Sequence, residues 1–222
     1  PVELDGRSIQ RVSSGSLKRW RNLDVRPGDQ VAVTLAGLTI PRLDGVVWRS
    51  PTRADVAAPL DGQYSALTCW HATPDCRQQF LARLEWLSGK GGLALSGVGP
   101  GTWRQLDEAG LLAGLLDWLL LTPGQLLAVP GLGERSAANL HRQFQLARQR
   151  PFATWLRALG VPSADALPPD EDWAALAQRS AEQWQARPGI GTVRGVQLER
   201  FFHTTDVVQL QQQLHDVGIA GF

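Results

Sequence analysis

The chain has 222 residues, a formal net charge of +1 and two cysteines. This length is sufficient for about one to three small domains with a buried core. The near-balanced charge excludes a strongly basic or acidic surface overall, so a site for an anionic partner has to be local. Two cysteines without a signal peptide favour free thiols and a cytoplasmic location. The apolar run over residues 111–121 contains Asp117 and is too short to span a bilayer, so we expect no membrane role.

Residues 1–50 are predicted to form short strands. Over residues 26–35 a Pro-Gly turn precedes an alternating strand, and a second strand is expected over 46–48. The serine-rich segment 13–20 could cap a short helix before these strands. Strands of this size are typical of a small all-β barrel of the oligonucleotide-binding type, the OB-fold.

The sequence pattern changes after residue 50. Residues 51–68 lack apolar periodicity, whereas from Asp75 onward nearly the whole chain has helical periodicity. We therefore expect a multidomain protein: an OB-fold barrel over 1–50, a connector over 51–87 and a mostly α-helical domain over 88–222. Most of the tryptophans, including Trp86, Trp118 and Trp155, fall at apolar helical positions and are predicted to lie in the core.

The helical part contains a repeated Gly-x-Gly turn between helical segments. The repeat intervals are 34, 29 and 29 residues, and such regular spacing indicates a repeated structural unit. The copies are turn 1 at Gly97-Val98-Gly99, turn 2 at Gly131-Leu132-Gly133, the eroded turn 3 at Leu159-Gly160-Val161, and turn 4 at Gly189-Ile190-Gly191.

Glycine gives these turns a specific chemistry. It adopts positive φ freely and has no Cβ, so a phosphate can approach the backbone amides of the turn. The next helix begins at the turn, and its free N–H groups favour an anion there. In turn 2, Val129 and Leu132 are predicted to pack inward and Ala137 to allow close helix contact, as Gly195 does after turn 4. Turns 2 and 4 match the helix-hairpin-helix motif, which predicts a phosphate clamp for nucleic acid.

A single Gly-x-Gly turn is equally consistent with an ordinary connection in a helical bundle. Turn 3 has lost its second glycine and is expected to keep only a structural role. Basic residues complete the predicted interface: Arg135 and Arg194 just after two turns, and Lys18, Arg19 and Arg42 on the barrel. The predicted DNA-binding set is Gly97, Gly99, Gly131, Leu132, Gly133, Arg135, Gly189, Ile190, Gly191, Arg194, Lys18, Arg19 and Arg42.

Three segments of the barrel part resemble the barrel domain of bacterial NAD-dependent DNA ligases. They are VELDG at 2–6, DVRPGD at 24–29 and AGLTIP at 36–41. The segment from Cys69 to Leu84, with Cys76, resembles the second half of that family's zinc module, and the helical part resembles its tandem helix-hairpin-helix domain. The variant that the chain most resembles is the B-type ligase, which stops after the hairpin domain.

The resemblance implies sealing of nicked double-stranded DNA with NAD and Mg²⁺, through lysine adenylation, AMP transfer and attack by the 3′-hydroxyl. The family's adenylated lysine lies in Lys-x-Asp-Gly, and neither Lys18 nor Lys90 has this context. We therefore expect no catalytic residue in this stretch and no ligation by it alone. A tetrahedral zinc site needs four ligands, and Cys69 and Cys76 supply two, so we expect free thiols and no bound metal.

The expected protein is a monomer that binds nicked duplex DNA in the bacterial cytoplasm, close to the nucleoid. A junction-binding recombination protein is an alternative, because it also joins such a barrel to tandem hairpins; the four-turn spacing and the cysteine pair argue against it. A helical protein-interaction scaffold that has lost DNA binding is a second alternative, suggested by the eroded turn 3 and the low net charge.

Overall fold

The computed structural model describes residues 2–4, 6–37, 40–60 and 63–222. Asp5, Leu38 and Thr39, which belong to segments that carry the resemblance, lie outside the described residues. The chain divides into two compact units, Pro1–Leu60 and Asp61–Phe222. Residues 51–60 therefore lie in the first unit.

The first unit consists of two antiparallel hairpins and one helix. The short strands β1 and β2 pair with each other, and the longer strands β3 and β4 pair with each other, with register irregularities near Ala32. Among its described residues these strands form two separate two-stranded sheets and no closed barrel. The elements are β1 (Val2–Leu4), β2 (Arg7–Ile9), α1 (Leu17–Leu23), β3 (Gln30–Ala36) and β4 (Ile40–Trp48).

Helix α1 has the serine cap that the sequence predicts. The Ser16 hydroxyl accepts a hydrogen bond from the Arg19 N–H at 3.1 Å, which satisfies one of the free amides of the first turn. The helix ends at Asp24, which is in the left-handed region with φ of 49°. Asp24 opens the DVRPGD segment, so the end of the helix and the start of this segment coincide.

The two aspartates of DVRPGD hold residues 49–53 against the rest of the first unit. The buried Asp29 carboxylate accepts the N–H groups of Arg26 at 3.0 Å and Ser50 at 3.1 Å, and the Arg53 guanidinium binds both Asp29 and Asp24. Burial acts to raise the pKa of Asp29, but these hydrogen bonds outweigh it and the pKa lies below its ordinary value. The hydrogen bond from Arg53 likewise lowers the pKa of Asp24. The motif thus has a structural role.

The second unit is helical. Two short 3₁₀ segments, at Asp117–Leu120 and Ala164–Ala166, connect its α-helices. The α-helices are α2 (Arg77–Ser88), α3 (Pro100–Glu108), α4 (Pro123–Leu127), α5 (Glu134–Ala147), α6 (Phe152–Ala158), α7 (Trp173–Ala177), α8 (Ala181–Gln185), α9 (Thr192–Phe202) and α10 (Thr205–Asp216). No helix in the described part of the chain is long and apolar enough to cross a bilayer.

Large aromatic rings fill the core of the second unit. Trp103 stacks on Phe144 with ring centroids 6.1 Å apart, and Trp118 stacks on Trp155 at 6.2 Å. Trp118 and Trp155 are fully buried, as predicted, and each indole N–H donates to a backbone carbonyl. The prediction for Trp86 was wrong: this side chain is 55% exposed, and its indole N–H donates to the carbonyl of Arg157 at the unit's surface.

The prediction of free thiols was also wrong. Cys69 and Cys76 form a disulfide. The chain turns back between them, immediately before helix α2, and brings their Cα atoms to 5.1 Å, within the range that a disulfide requires. The sequence does not reveal this turn because the residue with positive φ, +62°, is Cys69 and not the Gly or Asn that usually marks such a position.

Candidate nucleic-acid interface

Turns 2 and 4 have the same backbone geometry. In turn 2 the Leu132 N–H donates to the carbonyl of Val129 at 3.1 Å, and Gly131 has φ of +86°. In turn 4 the Ile190 N–H donates to the carbonyl of Arg187 at 3.2 Å, and Gly189 has φ of +82°. A positive φ at the third position defines a type II turn, where glycine is preferred. The first glycine of each turn is therefore required by the backbone.

Turn 1 follows the same plan with a longer hydrogen bond. The Val98 N–H lies 3.4 Å from the carbonyl of Leu95, and Gly97 has φ of +73°. In all three turns the central apolar side chain points inward: Val98 and Ile190 are buried, and Leu132 is half-buried against the core. Leu132 and Ile190 thus anchor their turns, while the glycines stay exposed, Gly99 partly so.

The second glycine of each turn caps the helix that follows. Gly99, Gly133 and Gly191 are the N-caps of α3, α5 and α9, and no side chain caps these helices. The first intrahelical N–H bond of α5 reaches the carbonyl of Gly133 at 2.9 Å, and that of α9 reaches the carbonyl of Gly191 at 2.9 Å. The amides before these bonds have no acceptor inside the helix, so they are available to an anion.

The first helix of each hairpin is capped in the opposite way. Helix α4 begins with a capping box at Thr122, and α8 begins with one at Ser180. In a capping box the side chains satisfy the amides that an anion would otherwise bind. Within these two hairpins, only the end formed by the Gly-x-Gly turn is open.

Close packing of α8 against α9 explains the small residue after turn 4. A Cβ added to Gly195 would lie 2.7 Å from the carbonyl oxygen of Ala181 and 2.8 Å from Cγ of Gln185. The corresponding residue after turn 2, Ala137, is buried. The prediction of close helix contact is confirmed at Gly195.

The two predicted arginines after the turns have different surroundings. Arg135 is exposed, and no hydrogen bond or ion pair engages its side chain in the described part of the chain. Arg194 is also exposed, but its Nη1 donates to the Ser163 hydroxyl at 2.9 Å. Val193, 70% exposed, holds the repeat position that Arg135 has in turn 2. Arg135 is therefore the basic side chain that is freer to meet a phosphate.

On the first unit, two of the three predicted cations have protein partners. Arg19 is half-buried and donates to the carbonyl of Leu43 at 2.6 Å. Arg42 forms an ion pair with Asp44 at 2.8 Å. A hydrogen bond from the Thr34 hydroxyl, followed by that from Arg42, lowers the pKa of Asp44. Lys18 is exposed on α1. Arg19 and Arg42 therefore stabilise this unit as they stand.

Turn 3 ends a helix and does not begin one. The Gly160 N–H donates to the carbonyl of Arg157 at 3.0 Å, and the Val161 N–H donates to that of Leu156 at 3.0 Å. These two bonds define a Schellman motif, the common glycine-containing helix end. Pro162 and a 3₁₀ segment follow, so the N-terminus of an α-helix does not lie at this turn.

The sequence analysis missed two residues that connect turn 1 with turn 2. A Cβ added to Gly97 would lie 3.2 Å from Nδ2 of Asn139, on α5, and a Cβ added to Gly131 would lie 3.0 Å from Nε2 of Gln105, on α3. Asn139 is the eighth residue after Gly131, and Gln105 is the eighth residue after Gly97. The shared spacing is visible in the sequence, but the contact requires the tertiary arrangement.

Comparisons with known proteins find relatives among DNA ligases. Residues 1–55 match the family model of the NAD-dependent DNA ligase OB-fold domain. Over all 222 residues the chain is 57% identical to DNA ligase B of Pseudomonas fluorescens (strain Pf0-1), covering 40% of that protein. It is 52% identical to DNA ligase B of Pseudomonas putida (strain W619), covering 39%. The chain thus spans about two fifths of these relatives, and the predicted resemblance to B-type NAD-dependent DNA ligases is confirmed.

Proposed function

We propose that this chain is the DNA-binding part of an NAD-dependent DNA ligase that seals nicks in duplex DNA. The observation that carries the proposal is the set of three exposed Gly-x-Gly turns, each followed by a glycine-capped helix with open amides. Similarity to DNA ligase B over the whole chain supports the same conclusion.

In this proposal the helical region is a tandem helix-hairpin-helix domain over 88–222, joined through a connector to an OB-fold barrel. Turns 1, 2 and 4 bind backbone phosphates through their amides, and Arg135 adds a charge beside turn 2. Contacts to phosphates carry no sequence information, so binding is neutral to sequence. The affinity falls with salt, with a log–log slope of about −0.9 for each phosphate that the protein neutralises on duplex DNA.

The residues of this chain do not fit the cofactors of ligation. Neither Lys18 nor Lys90 lies in the Lys-x-Asp-Gly context, so the 222 residues offer no lysine for adenylation by NAD. Cys69 and Cys76 are joined to each other, and the described residues contain no group of three or more His, Cys, Asp or Glu side chains that could hold a metal. NAD and Mg²⁺ belong, in this proposal, to the remainder of the ligase. The protein acts as a monomer in the bacterial cytoplasm, at the nucleoid.

Fluorescence anisotropy tests the proposal. Wild-type chain is titrated into labelled nicked duplex, intact duplex, single strand and four-way junction at two salt concentrations. Gly189→Val and Gly218→Val form a matched pair, because both glycines have positive φ and an added Cβ would meet no atom within 4 Å at either. Gly218 follows α10 and lies at no Gly-x-Gly turn.

We expect salt-sensitive binding to duplex that Gly189→Val weakens and Gly218→Val leaves intact. Preference for the four-way junction over nicked duplex would instead support a recombination protein. Folded wild-type protein that binds no duplex even at low salt would contradict the proposal and favour a protein-interaction scaffold.

A further inference from the structure

Turns 1 and 2 are related by reciprocal contacts. Helix α3, which follows turn 1, carries Gln105, whose Nε2 lies at turn 2. Helix α5, which follows turn 2, carries Asn139, whose Nδ2 lies at turn 1. If position i of the first repeat contacts position j of the second, and position j of the first contacts position i of the second, the two repeats are related by a local two-fold axis. Each turn therefore rests beside a side-chain amide from the opposite repeat.

The hydrogen bonds around Asn139 orient its amide. Its Oδ1 accepts from Nη2 of Arg142 at 2.8 Å, which leaves the Nδ2 hydrogens directed elsewhere. Nδ2 is the atom that lies next to Gly97. One helical turn further along α5, Gln143 accepts the Ser96 N–H at 3.0 Å, so α5 fixes turn 1 from two points. Gln105 is half-buried, and no hydrogen bond engages its side chain in the described part of the chain.

We propose that the side-chain amides of Asn139 and Gln105 complete the phosphate sites of turns 1 and 2, each in the opposite repeat. Building on the proposed function, a DNA phosphate at turn 1 accepts a hydrogen bond from Asn139, and a phosphate at turn 2 accepts one from Gln105. Each contact is a charge-assisted hydrogen bond to a phosphate oxygen. Each phosphate site then combines a turn from one repeat with a side-chain amide from the other, so neither repeat forms a complete site alone.

The chain offers an internal control at the same repeat position. Gln197 is the eighth residue after Gly189, but the neighbouring turn 3 is a closed helix end, and a Cβ added to Gly160 would meet no atom within 4 Å. The amide of Gln197 therefore has no opposite turn to complete. Gln197→Ala removes the same chemical group from an exposed helical position.

The crossed arrangement predicts which pairs of substitutions are coupled in DNA affinity, and a purely structural role of the amides does not predict the same pairs. Asn139→Ala and Gln105→Ala are each combined with Gly99→Asp in turn 1 and with Gly133→Asp in turn 2. Affinity for nicked duplex is measured at low salt, where weakened binding remains measurable, and thermal unfolding is measured for every variant. Residues that act on one site are non-additive, and residues on separate sites are additive.

We expect each alanine variant to weaken binding about 10-fold or more, as loss of one hydrogen bond to a charged group predicts, and Gln197→Ala to leave it unchanged. Asn139→Ala should be non-additive with Gly99→Asp and additive with Gly133→Asp, and Gln105→Ala should show the reverse. Additivity in all four combinations, or coupling of each amide to the turn of its own repeat, would overturn the inference. If wild-type chain binds no DNA, the proposed function fails first. If it binds and the turn variants weaken it without crossed coupling, only this inference fails.

Discussion

Placing a carboxylate at the open helix ends should weaken DNA binding at least ~30-fold without unfolding the protein. Gly133 and Gly191 have φ of −86° and −84° in the extended region that an N-cap residue adopts. A Cβ added to either glycine would meet no atom within 4 Å. The double variant Gly133→Asp/Gly191→Asp should therefore fold. Because Asp is a better N-cap than Gly, its free energy of unfolding should be equal to that of wild type or greater by a few tenths of a kcal/mol.

The same carboxylates oppose a phosphate directly. Each would accept hydrogen bonds from the amides that the phosphate needs and would place a negative charge about 5 Å from it. At that distance the repulsion is about 1 kcal/mol in water and about 3 kcal/mol at an effective dielectric constant of about 20. Two turns together should raise the dissociation constant at least ~30-fold, since about 1.4 kcal/mol corresponds to a factor of ten.

Anisotropy titration on nicked duplex and thermal unfolding of the same samples test this expectation. The matched variant Gly133→Asn/Gly191→Asn has the same size and capping ability without the charge, so it should bind DNA better than the Asp variant and less well than wild type. Wild-type affinity in the Asp variant, with an unfolding temperature at least as high as that of wild type, would show that these amides do not bind phosphate.

Three further predictions concern stability. Because Asp29 has a lowered pKa in the folded protein, its contribution to the free energy of unfolding should be complete above its unfolded pKa of about 3.9 and should be lost as pH falls through the folded pKa. Asp29→Asn should therefore remove this part of the pH dependence when acid unfolding is followed by circular dichroism. Gly195→Ala should cost about 1–3 kcal/mol in urea unfolding, since its Cβ would collide with the carbonyl of Ala181 at 2.7 Å; an unchanged midpoint would contradict the close packing. Reduction of the Cys69–Cys76 disulfide should cost about 2–3 kcal/mol, and Cys69→Ser/Cys76→Ser should show no response to reductant.

Features set by the local chain were predictable from the sequence. The inward position of Leu132, the close packing at Gly195 and the capped start of α1 all follow from short-range spacing and from the chemistry of single residue types. The bounds of the strands were less predictable: β4 extends over Ile40–Trp48, whereas the pattern indicated only residues 46–48. Strand ends depend on pairing with a neighbour, which a pattern within one strand does not contain.

Features set by tertiary packing were not predictable. Arg19 looks like a free cation in the sequence, but the carbonyl of Leu43 on β4 accepts a hydrogen bond from it, while Arg42 pairs with Asp44 two residues along the same strand. The disulfide and the crossed position of Asn139 and Gln105 likewise depend on which segments meet in space. One sequence without the fold identifies which residue types could bind DNA, but it does not identify which of them are already occupied.

The closed end at turn 3 has a consequence for how the protein lies on a duplex. With turn 3 closed, the open turns are unevenly distributed, two adjacent in sequence and one beyond the closed copy. A nick is itself asymmetric, with a 3′-hydroxyl on one side and a 5′-phosphate on the other. In the proposed ligase, the closed turn 3 therefore leaves an uneven set of phosphate sites, so the two orientations of an asymmetric nick on the protein are not equivalent.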